Sequence, residues 1–551
     1  MTSSVYAKKA LCTAFVFALA LIESSCGDVY RPVAQVIPGT PPNPGAVHFV
    51  ITLSTNGNSD PGTSDHVDVS GDTSLGAFQT GLVPVHAALT ANASRLYVVN
   101  LADDTVTANA TSSPTSAAVI SLAQGAQPVF VHTAENNNVY VANFGTSTVS
   151  VINANSNALA GPDVPVGANP VALAEMPVTG ATNQKLYVAN ENSNNLSVIN
   201  VLDDSLGTPV LIGTGQIWAI ARADGQRVYV LDRNGTVSAI NTLTDLVLAN
   251  AGLASAGAGA NFMFLDAKAQ RLYVTNPSPT VHAISIFDIS EVNPAMPVNR
   301  VATIDLGQGA APFYLPVSVS GIGDGSRAYV ATYQIAKCQP GNYDCVNTQV
   351  AVINVGNNTV SKIIPIASGV PIDTANQNGC GALAPTPAAW TPADGARFRL
   401  FVTASGGGST SNFKVYVAQC DAQNVAVIDT FPANSNPTDT FAGVTIPSPL
   451  SAFPGVQVGI SAASQSSTTT TYSYTQSSAS PNLQVGQNIF ITGMSDAGNN
   501  GSFTISGGNL VAGPGSGTFT VTNPSGVTNG TQSGTGAMLV RQNPVFMLAG
   551  P

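Results

Sequence analysis

Charge is what this chain has least of. Only 9% of its 551 residues are charged, against about 25% in an average soluble domain. That scarcity excludes a long helical protein or a coiled coil, whose exposed faces need Lys and Glu. Basic residues are scarcer still: 18 Lys+Arg against 29 Asp+Glu, a net charge of −11 and a pI near 4.7. Nucleic acid would find no basic footprint, so it is excluded as a partner. Histidine is rare, with five residues and no HxH or HExxH spacing. No metal and no cofactor is therefore expected. Phosphate loops, Rossmann fingerprints, Gly-x-Ser-x-Gly elbows and Asp-x-Asp-x-Asp-Gly calcium loops are missing too. After the N-terminus no run is long and apolar enough to span a bilayer. Apolar material itself is plentiful at 44%, enough for a large core and too much for general disorder.

What is present is a repeat. Leu96-Tyr97-Val98-Val99-Asn100 returns as Val139–Asn143, Leu186–Asn190, Val228–Asp232, Leu272–Asn276, Ala328–Thr332 and Val415–Gln419. The tyrosines step by 43, 47, 42, 44, 56 and 87 residues. Most steps suit a unit of four short strands, and the two long ones need insertions. A second run, Val149-Ser150-Val151-Ile152-Asn153, recurs at Leu196–Asn200, Val350–Asn354 and Val425–Asp429. Its alternation predicts half-buried strands, and its closing Asn or Asp suits a turn. Ahead of each Tyr strand stands a Gly-x-x-Pro lead-in at Gly81–Pro84, Gly125–Pro128 and Gly167–Pro170, and a Pro-less version at Gly215 and Gly259. Pro fits the first residue of a strand, where no ladder donor is required.

These patterns predict an all-β chain: a seven-bladed β-propeller with a small C-terminal all-β module. The Tyr-Val-Ala-Asn and Val-Ser-Val-Ile-Asn runs, recurring in register over residues 75–450, resemble the YVTN family of β-propeller repeat proteins. That resemblance implies a seven-bladed ring in an extracytoplasmic prokaryotic protein and no single agreed activity. The seventh unit reads as one blade with a hairpin inserted around Gly406-Gly407-Gly408; an eighth, degenerate blade within 372–430 is the alternative. Ring closure is expected from an N-terminal strand at Ser74–Thr80 completing the last blade.

The expected organisation is residues 1–26 as signal peptide, 27–65 as an extended linker, 66–455 as the propeller and 456–551 as a Ser/Thr/Gly-rich β module with a C-terminal tail. Val47–Leu53 could be a docked strand, and Asn543–Met547 could dock back on the ring. Lys8 and Lys9 precede an apolar run, Ala10–Ile22, of signal-peptide length. Glu23-Ser24-Ser25-Cys26 resembles a bacterial lipobox, with Glu23 where that motif has Leu. The resemblance implies a lipid anchor at Cys26; ordinary cleavage nearby, with Cys26 a bystander, is the other reading. Membrane association would then run through the lipid anchor only, in the bacterial cell envelope (periplasm or cell surface). Four further cysteines, Cys338, Cys345, Cys380 and Cys420, favour disulfides in an exported chain. Cys338 and Cys345 flank a turn-rich loop, which leaves Cys380 for Cys420; a zinc site is the weaker competitor.

Candidate chemistry is sparse, and no catalytic residue is assigned. Gln127, Asn169, Gln216 and Asn261 stand at the lead-ins and are candidate binding residues at the channel mouth. His86 and His132 fall on innermost strands and could line the channel or bond nearby backbone. Glu175 and Arg222 could pair across consecutive units. Trp218 and Trp390 read as core. Asp103-Asp104 and Asp203-Asp204 are weak calcium candidates. The expected function is a non-catalytic, monomeric envelope scaffold for a protein or glycan partner. A lactonase-like hydrolase and an adhesin or surface-layer component are the alternatives.

Overall fold

The computed structural model describes residues 49–56, 61–113, 117–176, 184–248, 255–290, 298–307, 311–338, 343–372, 380, 398–405, 413–430, 439–445, 457–476, 483, 488–511, 514–539 and 543–550. Among them the chain is all-β apart from one short 3-10 turn, Ala497–Asn499. Eight antiparallel sheets, each four strands deep, form a β-propeller. The outer edge of the second is split into two short pieces, Ala158–Leu159 and Val164–Pro165. Innermost strands touch their neighbours in cyclic order, from Pro84–Leu89 through Pro128–Thr133, Pro170–Glu175, Gln216–Ala221, Phe262–Asp266, Leu315–Gly321 and Leu400–Ala404. Asn543–Ala549 then returns the circle to Pro84–Leu89.

The expected seven blades are thus eight sheets. The seven Tyr repeats each build one sheet, as their spacing predicts. The eighth is assembled from both ends of the chain. Asn543–Ala549 is its innermost strand, followed outwards by Phe49–Thr55, Pro61–Asp68 and Thr73–Leu82. It escaped the repeat count because none of its strands carries the Tyr motif and its inner pair joins Thr55 to Asn543. The linker drawn over 27–65 therefore gives way to a sheet at Phe49, and the boundary at 66 falls inside the strand Pro61–Asp68. Residues 1–48, with the signal segment and Cys26, lie outside the described residues.

The long seventh repeat is a single sheet. Leu400–Ala404 is its innermost strand and pairs directly with Lys414–Gln419, so no extra sheet stands between them. In the sixth, Arg327–Cys338 and Tyr343–Asn354 extend one long hairpin, tied near its tip by Cys338–Cys345. Cys380 bonds Cys420, with Cα atoms 5.6 Å apart. Both pairings agree with the expected ones. The C-terminal module is a closed six-stranded barrel with its own core, including Ile460, Tyr472, Tyr474, Ile489 and Phe519. It is inserted between the last strand of the seventh sheet, Thr440–Thr445, and the closing strand Asn543–Ala549.

Both faces of the middle strands are buried, not one. Leu96, Tyr97, Val98 and Val99 are all at 0% exposure, as are Val149, Ser150 and Ile152. Each sheet packs face to face against two neighbours, so alternation marks size and polarity rather than access to water. Ser150 tolerates this because its hydroxyl accepts from Asn143 Nδ2 (2.8 Å) and donates to Asp163 (2.6 Å). The motif Asn works the same way elsewhere: Asn100 Nδ2 donates to Thr105 and Thr107, tying its hairpin from within.

Adjacent sheets are latched through the motif tyrosines. Tyr97 donates to Asn157 (2.8 Å), Tyr140 to Asp204, Tyr187 to Asp245 (both 2.6 Å), Tyr329 to Asp439 (2.9 Å) and Tyr416 to Asp72 (2.7 Å). Each acceptor belongs to the next sheet. Asn157, Asp204, Asp245 and Asp72 all sit at φ between 52° and 57°, where Asn and Asp are the favoured non-glycine residues. Burial, followed by the neighbouring carboxylate, raises Tyr140, Tyr187 and Tyr416 well above the usual phenol range. They stay protonated donors.

Candidate functional site: the axis and ends of the ring

The lead-ins determine what reaches the axis. Val83, Gln127 and Asn169, the residues just before Pro84, Pro128 and Pro170, hold φ of 56°, 47° and 57°. Gly81 and Gly167 are glycine for another reason: a Cβ would stand 2.8 Å from Asn100 and 2.6 Å from Asn190. After each Pro the ladder skips a residue, between Pro84 and His86, Pro128 and Phe130, Pro170 and Ala172, and Pro316 and Ser318. The fourth sheet does the same between Gln216 and Trp218. Such a bulge re-aims the side chain that follows it.

Three of those re-aimed side chains, His86, Phe130 and Trp218, join Phe262, Phe401 and Phe546 in an aromatic collar. His86 stacks on Phe130 at 4.0 Å, Phe130 meets Trp218 at 5.7 Å, and Trp218 meets Phe262 at 4.9 Å. Phe262 touches Phe401 at 5.6 Å, Phe401 touches Phe546 at 4.7 Å, and Phe546 returns to His86 at 4.7 Å. The circuit draws on six sheets and skips only the two that offer Ala172 and Ser318. No member exceeds 8% exposure, so solvent barely reaches the axis at this level. His86 is pushed down to about 3 by burial and then by His132, so it is neutral; its Nδ1 accepts from the Val131 amide at 3.4 Å. Trp218 is core, as expected, and Trp390 lies outside the described residues.

Of the four lead-in candidates, three have their side chains bonded within the protein, and of these Gln216 is buried while Asn169 and Asn261 are half-buried. Gln216, 1% exposed, accepts from the Asn190 amide and donates to Gly213 O at 2.8 Å. Asn169 donates to Phe144 O and accepts from Asn192. Asn261 donates to Val317 O of the next sheet and accepts from Thr275. Gln127 alone is exposed. Asp104 accepts the amides of Gly125 and Gln127, and Asp103 that of Leu82. Asp204 belongs to a Tyr latch and Asp203 to Ser205.

At the opposite end, where the inner strands finish, His132 Nε2 lies 2.9 Å from Glu175 Oε2. The Glu175 side chain is 1% exposed and the His132 side chain 16%. Glu175 also accepts the Glu135 amide at 3.4 Å. Glu175 thus bonds His132, while Arg222 forks onto Asp224. A carboxylate fixing an imidazole is an acid–base arrangement in chemical principle. The sequence named both residues separately; nothing local in the chain joins them. The collar was also missed, although an aromatic two residues after a lead-in Pro, as at Phe130, was its visible signal.

No family model matches the chain, and no curated protein matches it. The fold is similar to solved structures of other β-propellers. One is the dihydro-heme d1 dehydrogenase NirN (TM-score 0.48, 10% identity, covering 74% of this chain and 76% of that one). Another is hydrazine synthase of Kuenenia stuttgartiensis (TM-score 0.39, 15% identity, 56% and 77% covered). A third is a protein provisionally described as a 6-phosphogluconolactonase of Bacteroides fragilis NCTC 9343 (TM-score 0.39, 15% identity, 59% and 97% covered). These likenesses concern the fold alone.

Proposed function

We propose that the chain is a non-catalytic β-propeller scaffold, exported and lipid-anchored through Cys26 in a bacterial cell envelope. It holds a protein or glycan partner on the loop-bearing ends of its ring. The observation that carries this reading is the collar. Where a propeller enzyme would gather acids, bases or ligands around its axis, this chain packs His86 in its neutral form among phenylalanines and Trp218. Recognition is then left to turns on a rigid frame. Two disulfides suit an oxidising compartment, and the YVTN-like repeat fits an extracytoplasmic address.

A hydrolase is the second reading, favoured by the His132–Glu175 pair. One experiment separates the two. Purified protein is offered a panel of lactones and, in parallel, an envelope fraction. The scaffold reading expects saturable binding without turnover. Turnover that disappears in Glu175→Gln or His132→Ala would overturn it. Mass spectrometry of the mature N-terminus checks the anchor: an unacylated chain starting elsewhere would refute it.

A further inference from the structure

A cleft of about 380 Å³ opens between the fourth and fifth sheets, at the end where the inner strands finish. That size lies within the range of small-molecule sites. Arg222, Asp224 and Gln226 line it from the turn after Gln216–Ala221. Gln270 lines it from the corresponding turn of the next sheet, and half-buried Ala223 and Ala267 supply its apolar surface above the buried Leu265 and Ile289.

The polar groups are arranged for a particular chemistry. Arg222 Nε donates to Asp224 Oδ1 at 2.8 Å and Nη2 to Oδ2 at 2.5 Å, while Nη1 reaches Ile289 O at 3.4 Å. This fork fixes both side chains and cancels their charges. Burial raises Asp224, but Arg222 and the Gln226 amide outweigh it and hold the carboxyl below its usual range. Its oxygens keep lone pairs to spare. Gln226 and Gln270 are exposed, and their carboxamides make no hydrogen bond among the described residues. Each offers two donors and an acceptor.

Alternatives fit less well. An anion would meet an Arg222 already neutralised. A cation would meet one carboxylate, Asp224, among the lining residues. A purely apolar ligand would desolvate polar groups without pairing them. A ring with hydroxyls on its edge and C–H groups on its face matches both the rim and the apolar surface. We propose that this cleft binds a neutral sugar unit of hexose size, free or within a glycan chain. The inference rests on the scaffold reading and names its partner class.

The test is titration of the full chain with neutral monosaccharides, a neutral hexose polymer, sulfate and citrate, followed by NMR saturation transfer. The comparison variant is Gln226→Ala with Gln270→Ala, two exposed positions outside the core. The expected result is binding of a neutral sugar that falls about tenfold in the double variant, with an unchanged melting temperature. Binding of the monosaccharide identifies the free sugar as sufficient; binding of the polymer alone identifies a unit read within a chain, and both support the site. No sugar binding, equal binding by the variant, or preference for sulfate or citrate would overturn it. Envelope binding that persists undiminished in the variant overturns this site and leaves the scaffold reading standing; lactone turnover strikes that reading and not the sugar titration.

Discussion

The seven repeated sheets and the closing sheet solve the same packing problem with different residues. A repeated sheet brings a Tyr, a buried Asn or its equivalent, and an apolar run between them. The closing sheet brings Phe49-Val50-Ile51-Thr52-Leu53-Ser54-Thr55, all buried. Beside it lie Thr63, Ser64 and His66, each at 2% exposure or less. Yet it supplies Asp72, the acceptor that Tyr416 and Lys414 of the seventh sheet both use, at 2.7 and 2.6 Å. Ring closure therefore depends on fitting the latch of the repeat, and not on copying the repeat.

The largest test of that contrast removes the closing strand. A chain ending before Asn543 leaves Phe49–Thr55 without its inner partner and takes Phe546 out of the collar. Loss of a cooperative thermal transition, with aggregation on size-exclusion chromatography, is expected. A monomer that melts normally would show that the eighth sheet is dispensable.

Next comes reduction. Cys380–Cys420 closes a loop of 40 residues, worth about 4 kcal/mol in the chain-entropy model. The bond anchors the neighbourhood of the closing strand, since Asn543 Nδ2 donates to Cys420 O at 2.7 Å. Replacing both cysteines by Ser should lower the denaturation midpoint more than the same change at Cys338 and Cys345, whose separation of 7 residues is worth about 2 kcal/mol in the same model.

Acid should strike the closing sheet and its neighbour first. His66, stacked on Phe49 at 5.2 Å and edge-on to Phe78, is lowered to about 4 by burial. His86, between Phe130 and Phe546 and near His132, is lowered to about 3. Below pH 6.5 the unfolded chain takes up protons that the folded chain refuses. The stability these two provide is thus complete above about 6.5 and lost as pH falls towards 4. For His66 the loss is about 3 kcal/mol. Urea denaturation from pH 7 to 4 should show a slope that flattens in His66→Phe; an unchanged slope would contradict the assignment.

The smallest effect separates seam from interior. Asp72→Ala and Asp245→Ala each remove one Lys and one Tyr contact. Each should cost about 1–3 kcal/mol by thermal denaturation, with the seam variant at the higher end because no direct peptide connection spans its boundary.

How much of this was legible follows from the same contrast. Tyr, Val and Asn at fixed offsets announced the seven repeated sheets, and Cys338–Cys345 left Cys380 for Cys420. The closing sheet was legible only in pieces: Val47–Leu53 and Asn543–Met547 read as docking strands and Ser74–Thr80 as completing the last blade, but these pieces instead form a sheet of their own, whose inner pair joins Thr55 to Asn543 across nearly the whole chain. Gln216 and Asn261 stand at the lead-ins, but their side chains bond partners that the ring itself supplies. Asn261, for instance, donates to Val317 O in the following sheet. The latch acceptors Asn157, Asp204 and Asp245 were visible as turn residues, with nothing local to say that a Tyr from the preceding sheet would reach them.

The central claim is that the ring is closed by the C-terminal strand. Native-state amide hydrogen exchange reads it directly. Val545, Phe546, Met547 and Leu548 should be protected as strongly as Ala172, Leu173 and Ala174 of an interior inner strand. Exchange at the rate of free chain for those four, with the interior strand still protected, would contradict it.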